Sequence, residues 1–252
     1  MCFEPTARPP APPRTGLLAD SERISLDASD GNVAAASLAT TTGQGAPGVV
    51  ILPDVRGLHP YYEALANEFA QAGVHALAVD LYGRTAGAHF RDEGFDYGPH
   101  RSAANDAGVR ADARAARGRL AEAGCERVFA LGFCFGGRGA FMQASQEGVA
   151  GAVGFYGWPA RAEEGGMSPI DEARAGLVRA PVLALYGGAD ANITDEHRSA
   201  YDRALEEAGV EHDTVVYPGA PHSFFDRTMT DHAEACSDSW RRVLEFMGID
   251  VR

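Results

Sequence analysis

Lysine is absent from this chain of 252 residues: all 22 basic residues are arginine. That absence removes Schiff-base chemistry, a pyridoxal-phosphate anchor, the lysine of a P-loop and a Ser–Lys dyad. Cysteine is scarce. Cys2, Cys125, Cys134 and Cys236 are too few for a disulfide scaffold in a chain this long, and no CxxC pair serves zinc or redox work. No apolar run approaches the ~18 residues that a membrane span requires. Residues 1–16 lack an apolar stretch of signal-peptide length. Positive charge is in deficit as well. A formal net charge of −13 argues against a nucleic-acid partner, because phosphate binding needs a basic surface. These absences predict a globular protein of the cytoplasm, with neither membrane nor nucleic acid as its partner.

What is present has the pattern of one domain. A length of 252 residues suits a single large α/β unit that can bury a proper core. Residues 1–16 hold five of the 14 prolines and show no helix or strand period, so they predict an extended arm ahead of a domain over 17–252. Residues 23–28 and 33–40 predict a hairpin about Asp30-Gly31. Apolar strands follow at 48–52, 75–80, 127–132, 149–156, 182–186 and 212–217. Helices are expected at 61–72, 108–123, 136–147, 194–208 and 233–247. Strands that are apolar throughout and alternate with helices mean a mostly parallel sheet covered on both faces. Two irregular stretches, 83–104 and 157–180, interrupt the alternation. Loops of that length commonly shape a site.

In such a sheet the ligand lies at the carboxyl ends of the strands. The sharpest motif there is Gly132-Phe133-Cys134-Phe135-Gly136-Gly137, between a predicted strand and a predicted helix. It is a nucleophile elbow with Cys where Ser is commoner. The turn is tight, so the flanking positions must be small. It sets the sulfur at a helix N-terminus, where the dipole favours a thiolate. The Phe135 N–H is then placed to meet an oxyanion. A thiol nucleophile needs a base, and the base an orienter. Asp190 follows the strand at 182–186, and His222 follows the one at 212–217. Each sits on its own strand-end loop, in the order nucleophile, acid, histidine.

Together with Pro53-Asp54-x-x-Gly57-Leu58, Val79-Asp80-Leu81-Tyr82-Gly83-Arg84 and Gly219-Ala220-Pro221-His222-Ser223-Phe224, these motifs resemble the dienelactone hydrolases of the α/β-hydrolase superfamily, from about Gly48 onward. The resemblance implies an α/β-hydrolase fold, with Cys134 as nucleophile, His222 as base, Asp190 as orienter and Val55 as a second oxyanion donor beside Phe135. It also implies that Arg84 binds a substrate carboxylate. Two positions depart from the family. Asp54 stands where a longer Glu commonly tunes the thiol, leaving contact with Cys134 or a pair with Arg56 or Arg84. Asp226 stands where a second carboxylate-binding Arg is usual, which favours a neutral or larger ester or lactone.

His59 and Tyr61 follow the Asp54 loop and are candidates to line the pocket. The strand-end aromatics Phe133, Phe135, Tyr156, Trp158 and Phe225 fit the core first, with an apolar acyl pocket as the alternative. Arg138, one turn after Cys134, fits a buried partner for an acid, with an edge of the site as the alternative. His89 and His100 lack the spacing of metal ligands. The expected activity is cysteine-dependent hydrolysis of small esters or lactones, with no metal and no organic cofactor. The rival is a binding or redox-sensing protein that keeps the fold and a reactive Cys134. The sequence carries no signal of oligomeric state.

Overall fold

The computed structural model describes residues 3–251; Cys2, for which the sequence suggests no role, lies outside the described residues. The chain runs β1 (Leu18–Asp27), β2 (Val33–Thr41), β3 (Gly48–Leu52), α1 (Pro60–Ala72), β4 (His75–Val79), α2 (Gly83–Ala86), α3 (Tyr97–Ala103), α4 (Asp106–Glu122), β5 (Val128–Phe133), α5 (Phe135–Gln143), β6 (Ala152–Phe155), α6 (Pro169–Arg174), β7 (Val182–Gly187), α7 (Asp195–Glu207), β8 (His212–Tyr217) and α8 (Ala233–Phe246). All eight strands join one sheet in the order β1-β2-β4-β3-β5-β6-β7-β8. β1, β2 and β4 pair antiparallel, and β4-β3-β5-β6-β7-β8 pair parallel. This is the α/β-hydrolase fold.

Strand periodicity divides the core in two. Val49 and Ile51 of β3, with Ala76 and Ala78 of β4, join the cluster that holds Tyr62 and Phe69 of α1 and Trp240 of α8. Val50 and Leu52, with Leu77 and Val79, face the cluster built on Val109, Ala113, Ala116 and Leu120 of α4. Alternate residues of an extended chain point to opposite faces, so a continuous apolar run serves both layers. The hairpin is where the sequence placed it. Gly31, at φ 85°, makes the turn between β1 and β2. β1 begins five residues before the predicted start; its first half is largely exposed and polar, which gave it no apolar signal.

Both irregular stretches contain short helices that apolar period could not reveal. Asp96 caps α3 by accepting from the Gly98 N–H. Ser168 and Asp171 form a capping box on α6, with Pro169 at the first helical position. Residues 3–16 form neither helix nor strand, yet they are tied down. Trp240 Nε1 donates to Pro10 O at 2.8 Å, and Gly16 N donates to Gln71 Oε1 at 2.7 Å. Among the described residues no helix is long and apolar enough to cross a membrane.

Candidate active site

Chain order reverses between β3 and β5, which lie side by side although β4 intervenes in sequence. A crevice at the carboxyl ends of the strands belongs at such a switch point. Cys134 sits there, between β5 and α5, with φ 53° and ψ −110°. For a residue with a side chain this is a strained backbone, of the kind that persists where surrounding structure holds it. The glycines explain how it is held. A Cβ on Gly136 would stand 2.1 Å from Leu52 O and 2.3 Å from Pro53 O, and one on Gly132 would stand 2.0 Å from Gly136 O. Only bare backbone passes that close. The first N–H groups of α5, that of Phe135 among them, have no acceptor inside the helix.

Asp190 follows β7 and His222 follows β8. His222 Nδ1 and Asp190 Oδ2 are 2.6 Å apart. The Asp190 side chain is fully buried, whereas the imidazole keeps 23% of its surface in solvent. Burial pushes the Asp190 carboxyl up, but the hydrogen bond and charge of His222 outweigh it, with the Asn192 and Ile193 N–H groups adding to the effect; the carboxyl ends below the ordinary carboxylate value. Arg198, itself buried, donates to the carbonyls of Gly187 and Ile193, on either side of Asp190, and pairs with Asp195. It fixes the loop that carries the acid.

A cavity of about 190 Å³ opens at this point, lined by Cys134, His222, Phe135 and Val55, by Tyr156, Trp158 and Ile193, and by Asn192, Arg101, Arg138 and Arg161. Tyr156 is also backbone-strained, at φ 40°, and its ring lies 4.8 Å from that of His222. Arg138 forks onto Asp106 at 2.6 and 3.0 Å and donates from Nε to Arg161 O at 2.6 Å. Arg101 donates to Glu163 at 3.0 Å and lies 4.1 Å over the Phe135 ring. Arg161 has no carboxylate partner among the described residues. The cavity therefore carries three guanidinium groups and no acidic lining residue, inside a chain of net charge −13.

The structure brings Cys134, His222, Phe135 and Val55 to one cavity, with Asp190 behind the imidazole, and leaves four other candidates outside it. Arg84 pairs with Asp112 at 2.6 Å and Asp30 at 2.7 Å, near the hairpin rather than the cavity. Asp54 is fully buried and holds Arg56, whose Nη2 is 3.1 Å from Oδ2. Tyr61 is a core residue whose hydroxyl donates to Phe225 O, and burial drives its ionisation far up. His59 precedes α1 and is buried with Nδ1 unbonded; burial and then the Arg56 cation hold its pKa below the ordinary histidine value. Asp226 is buried too. Its carboxylate accepts from Arg8 N, Thr228 N and Thr228 Oγ1 at 3.1, 2.9 and 2.8 Å. It organises a turn and the arm, and lies outside the cavity lining.

Sequence reasoning missed Arg101, Arg161, Asn192 and Ile193. Arg101 and Arg161 lie in the two irregular stretches expected to shape the pocket, but nothing local distinguishes them from other surface arginines. Cys125 and Cys236 are buried, and burial pushes each thiol up to about 11. Neither is disposed to ionise near neutrality.

Residues 34–249 match the model of the dienelactone hydrolase family. A Yersinia pestis protein named "Putative carboxymethylenebutenolidase" is 30% identical over 213 residues, which cover 79% of this chain and 77% of that one. A Methylorubrum extorquens protein of the same name is 30% identical over 240 residues, covering 92% and 81%. The crystal structure of a "Putative Dienelactone Hydrolase" from Klebsiella pneumoniae superimposes with a TM-score of 0.80 at 28% identity, over 91% of this chain and 98% of the other.

Proposed function

Since the chain belongs to the dienelactone hydrolase family, and is by that membership a carboxylic ester hydrolase, we propose that it cleaves small esters or lactones by way of an acyl-enzyme on Cys134. The observation that carries the reading is the His222–Asp190 pair, 2.6 Å apart, behind the same cavity that Cys134 lines. His222 takes the thiol proton and the sulfur attacks the substrate carbonyl carbon. The N–H groups of Phe135 and Val55 hold the oxygen as it becomes negative. The tetrahedral species collapses, the C–O bond breaks, and His222 returns the proton to the departing oxygen. Water, deprotonated by the same imidazole, then attacks the thioester and releases the carboxylic acid. Asp190 keeps Nδ1–H in place and stabilises the imidazolium that forms twice in the cycle. In a lactone both products are one molecule, a hydroxy or oxo acid.

The cavity also speaks to substrate charge. Arg101 and Arg138 already hold Glu163 and Asp106, which leaves Arg161 as the lining guanidinium that favours an ester or lactone bearing a negative group, despite Asp226. Guanidinium matches carboxylate in shape and charge. At about 190 Å³ the space suits a compound smaller than the ligands of typical 300–1,000 Å³ sites.

The test is steady-state hydrolysis of an aryl acetate, a neutral lactone and an anionic lactone by wild type and Cys134→Ala. Turnover by wild type alone, fastest in kcat/KM on the anionic lactone, is the expected result. Equal rates for both proteins would overturn the cysteine mechanism.

A further inference from the structure

Phe3 is the sole aromatic residue of the arm, and it is 2% exposed. Its ring stacks on Tyr61 with centroids 4.2 Å apart, and meets Tyr62, Phe133 and Tyr156 edge-on at 6.4 Å each. One of these rings lines the cavity, and another belongs to the residue before the nucleophile. Phe133, a core ring, directly precedes Cys134. Tyr156, the strained residue, forms cavity wall and packs on His222. The main chain adds a third link, because Arg56 Nη1 donates to Phe3 O at 2.9 Å and Arg56 directly follows Val55. Further along the arm, Arg8 N donates to Asp226 and Arg8 O accepts from Arg227 N at 3.1 Å. That exchange pins the turn at Asp226–Met229, four residues past His222.

Nucleophile, base and oxyanion donor come from three different strand ends. The arm is a neighbour of all three. We propose that Phe3 is a positioning residue: its ring, wedged between Tyr61, Phe133 and Tyr156, sets the spacing of Cys134 and His222 across the crevice. The physical basis is close packing. Interiors transmit strain because side chains interdigitate without slack, and a strained residue such as Tyr156 relaxes once a neighbour is withdrawn. An arm that merely covered apolar surface would need no contact with rings flanking both the nucleophile and the base. The inference rests on the assignment of Cys134 and His222 as a working pair.

The test compares wild type, Phe3→Ala and Phe3→Leu in two assays. One is turnover of a small aryl ester. The other is alkylation of Cys134 by iodoacetamide at pH 7, followed at its own peptide by mass spectrometry, with Cys125 and Cys236 as internal reporters of folding. Phe3→Ala is expected to lower kcat roughly ten- to a hundredfold, the scale of loss that a misplacement near 1 Å brings, with KM changed less than about twofold. Cys134 alkylation should slow in parallel while Cys125 and Cys236 stay unreactive. Phe3→Leu, which refills the space, should recover most of both. Wild-type kcat and labelling in Phe3→Ala would overturn the inference. So would loss of activity accompanied by labelling of Cys125 and Cys236, which marks general loosening. If wild type fails to turn over yet Cys134 labelling still depends on Phe3, the hydrolase reading falls and the positioning of Cys134 by the arm stands.

Discussion

An Asp190→Asn substitution changes one atom and is expected to remove most of the activity. The carboxylate holds the imidazole by Nδ1 at 2.6 Å. An amide can present its N–H instead and favour the wrong tautomer. A loss of about 10⁴ in kcat is the scale for such a change, to be read by single-turnover acylation. Arg161→Gln is expected to raise KM for an anionic lactone about tenfold or more, the worth of one charged hydrogen bond, and to leave a neutral lactone nearly unaffected. Equal effects on both substrates would remove Arg161 from recognition. Gly136→Ala belongs to a different category. The added methyl meets the Leu52 and Pro53 carbonyls, which are main chain and cannot swing aside. Overpacking of this kind costs about 1–3 kcal/mol or more, and a fall in the urea midpoint would report it.

Among the elements, the turn after His222 ties the arm to the domain. Asp226→Ala strips the acceptor from Arg8 N and from both Thr228 donors. These part-buried hydrogen bonds are worth about 0.5–1.5 kcal/mol each, so the variant should unfold at lower urea than wild type. Most elements were legible in the sequence because each strand of the parallel sheet is an unbroken apolar run and each long helix has a clear period or stop, such as Gly73 after α1. The elbow was legible for a steric reason, since Gly132 and Gly136 are small where backbones touch. His222 and Asp190 were legible from their place after β8 and β7. The short helices α3 and α6 were not, because caps rather than period define them. Arg84, His59 and Tyr61 lie outside the cavity lining. Arg84 was carried over by a motif match, which does not fix the acid a guanidinium turns toward, and His59 and Tyr61 by adjacency to a strand-end loop, which does not say which way a side chain turns. Arg101 and Arg161 were invisible because they reach the cavity from long connections whose course no local rule fixes.

At the scale of the whole molecule, acid is the direction of weakness. Burial lowers the pKa of His59 and of half-buried His75 below the ordinary 6.5. In the unfolded chain both take up protons near that value, so the unfolded state binds more protons as the pH drops from 7 toward 5. The stability these residues contribute is full above about pH 6.5 and is lost as the pH falls through their folded values. Asp190, with its lowered pKa, extends the loss below about pH 4. Glu68 acts in the opposite sense, because burial raises its pKa above 4.5 and protonation there favours the folded state. The net expectation is a melting temperature that declines from pH 7 to pH 5, with a shallower decline in His59→Leu. A flat wild-type profile over that range would contradict it.

A chain without lysine has built its buried ionic contacts from a single chemical group. Arg138 forks onto Asp106 and Arg101 joins Glu163 at the cavity wall, and Arg91 forks onto Asp80 just after β4. Guanidinium chloride therefore offers these carboxylates a free copy of the head group they already hold, whereas urea offers only a neutral amide. In urea the cavity walls and the sheet should dissolve together. In guanidinium the walls should loosen first, so that catalysis vanishes while the sheet still stands. The choice of denaturant would decide whether the same molecule comes apart in one event or in two.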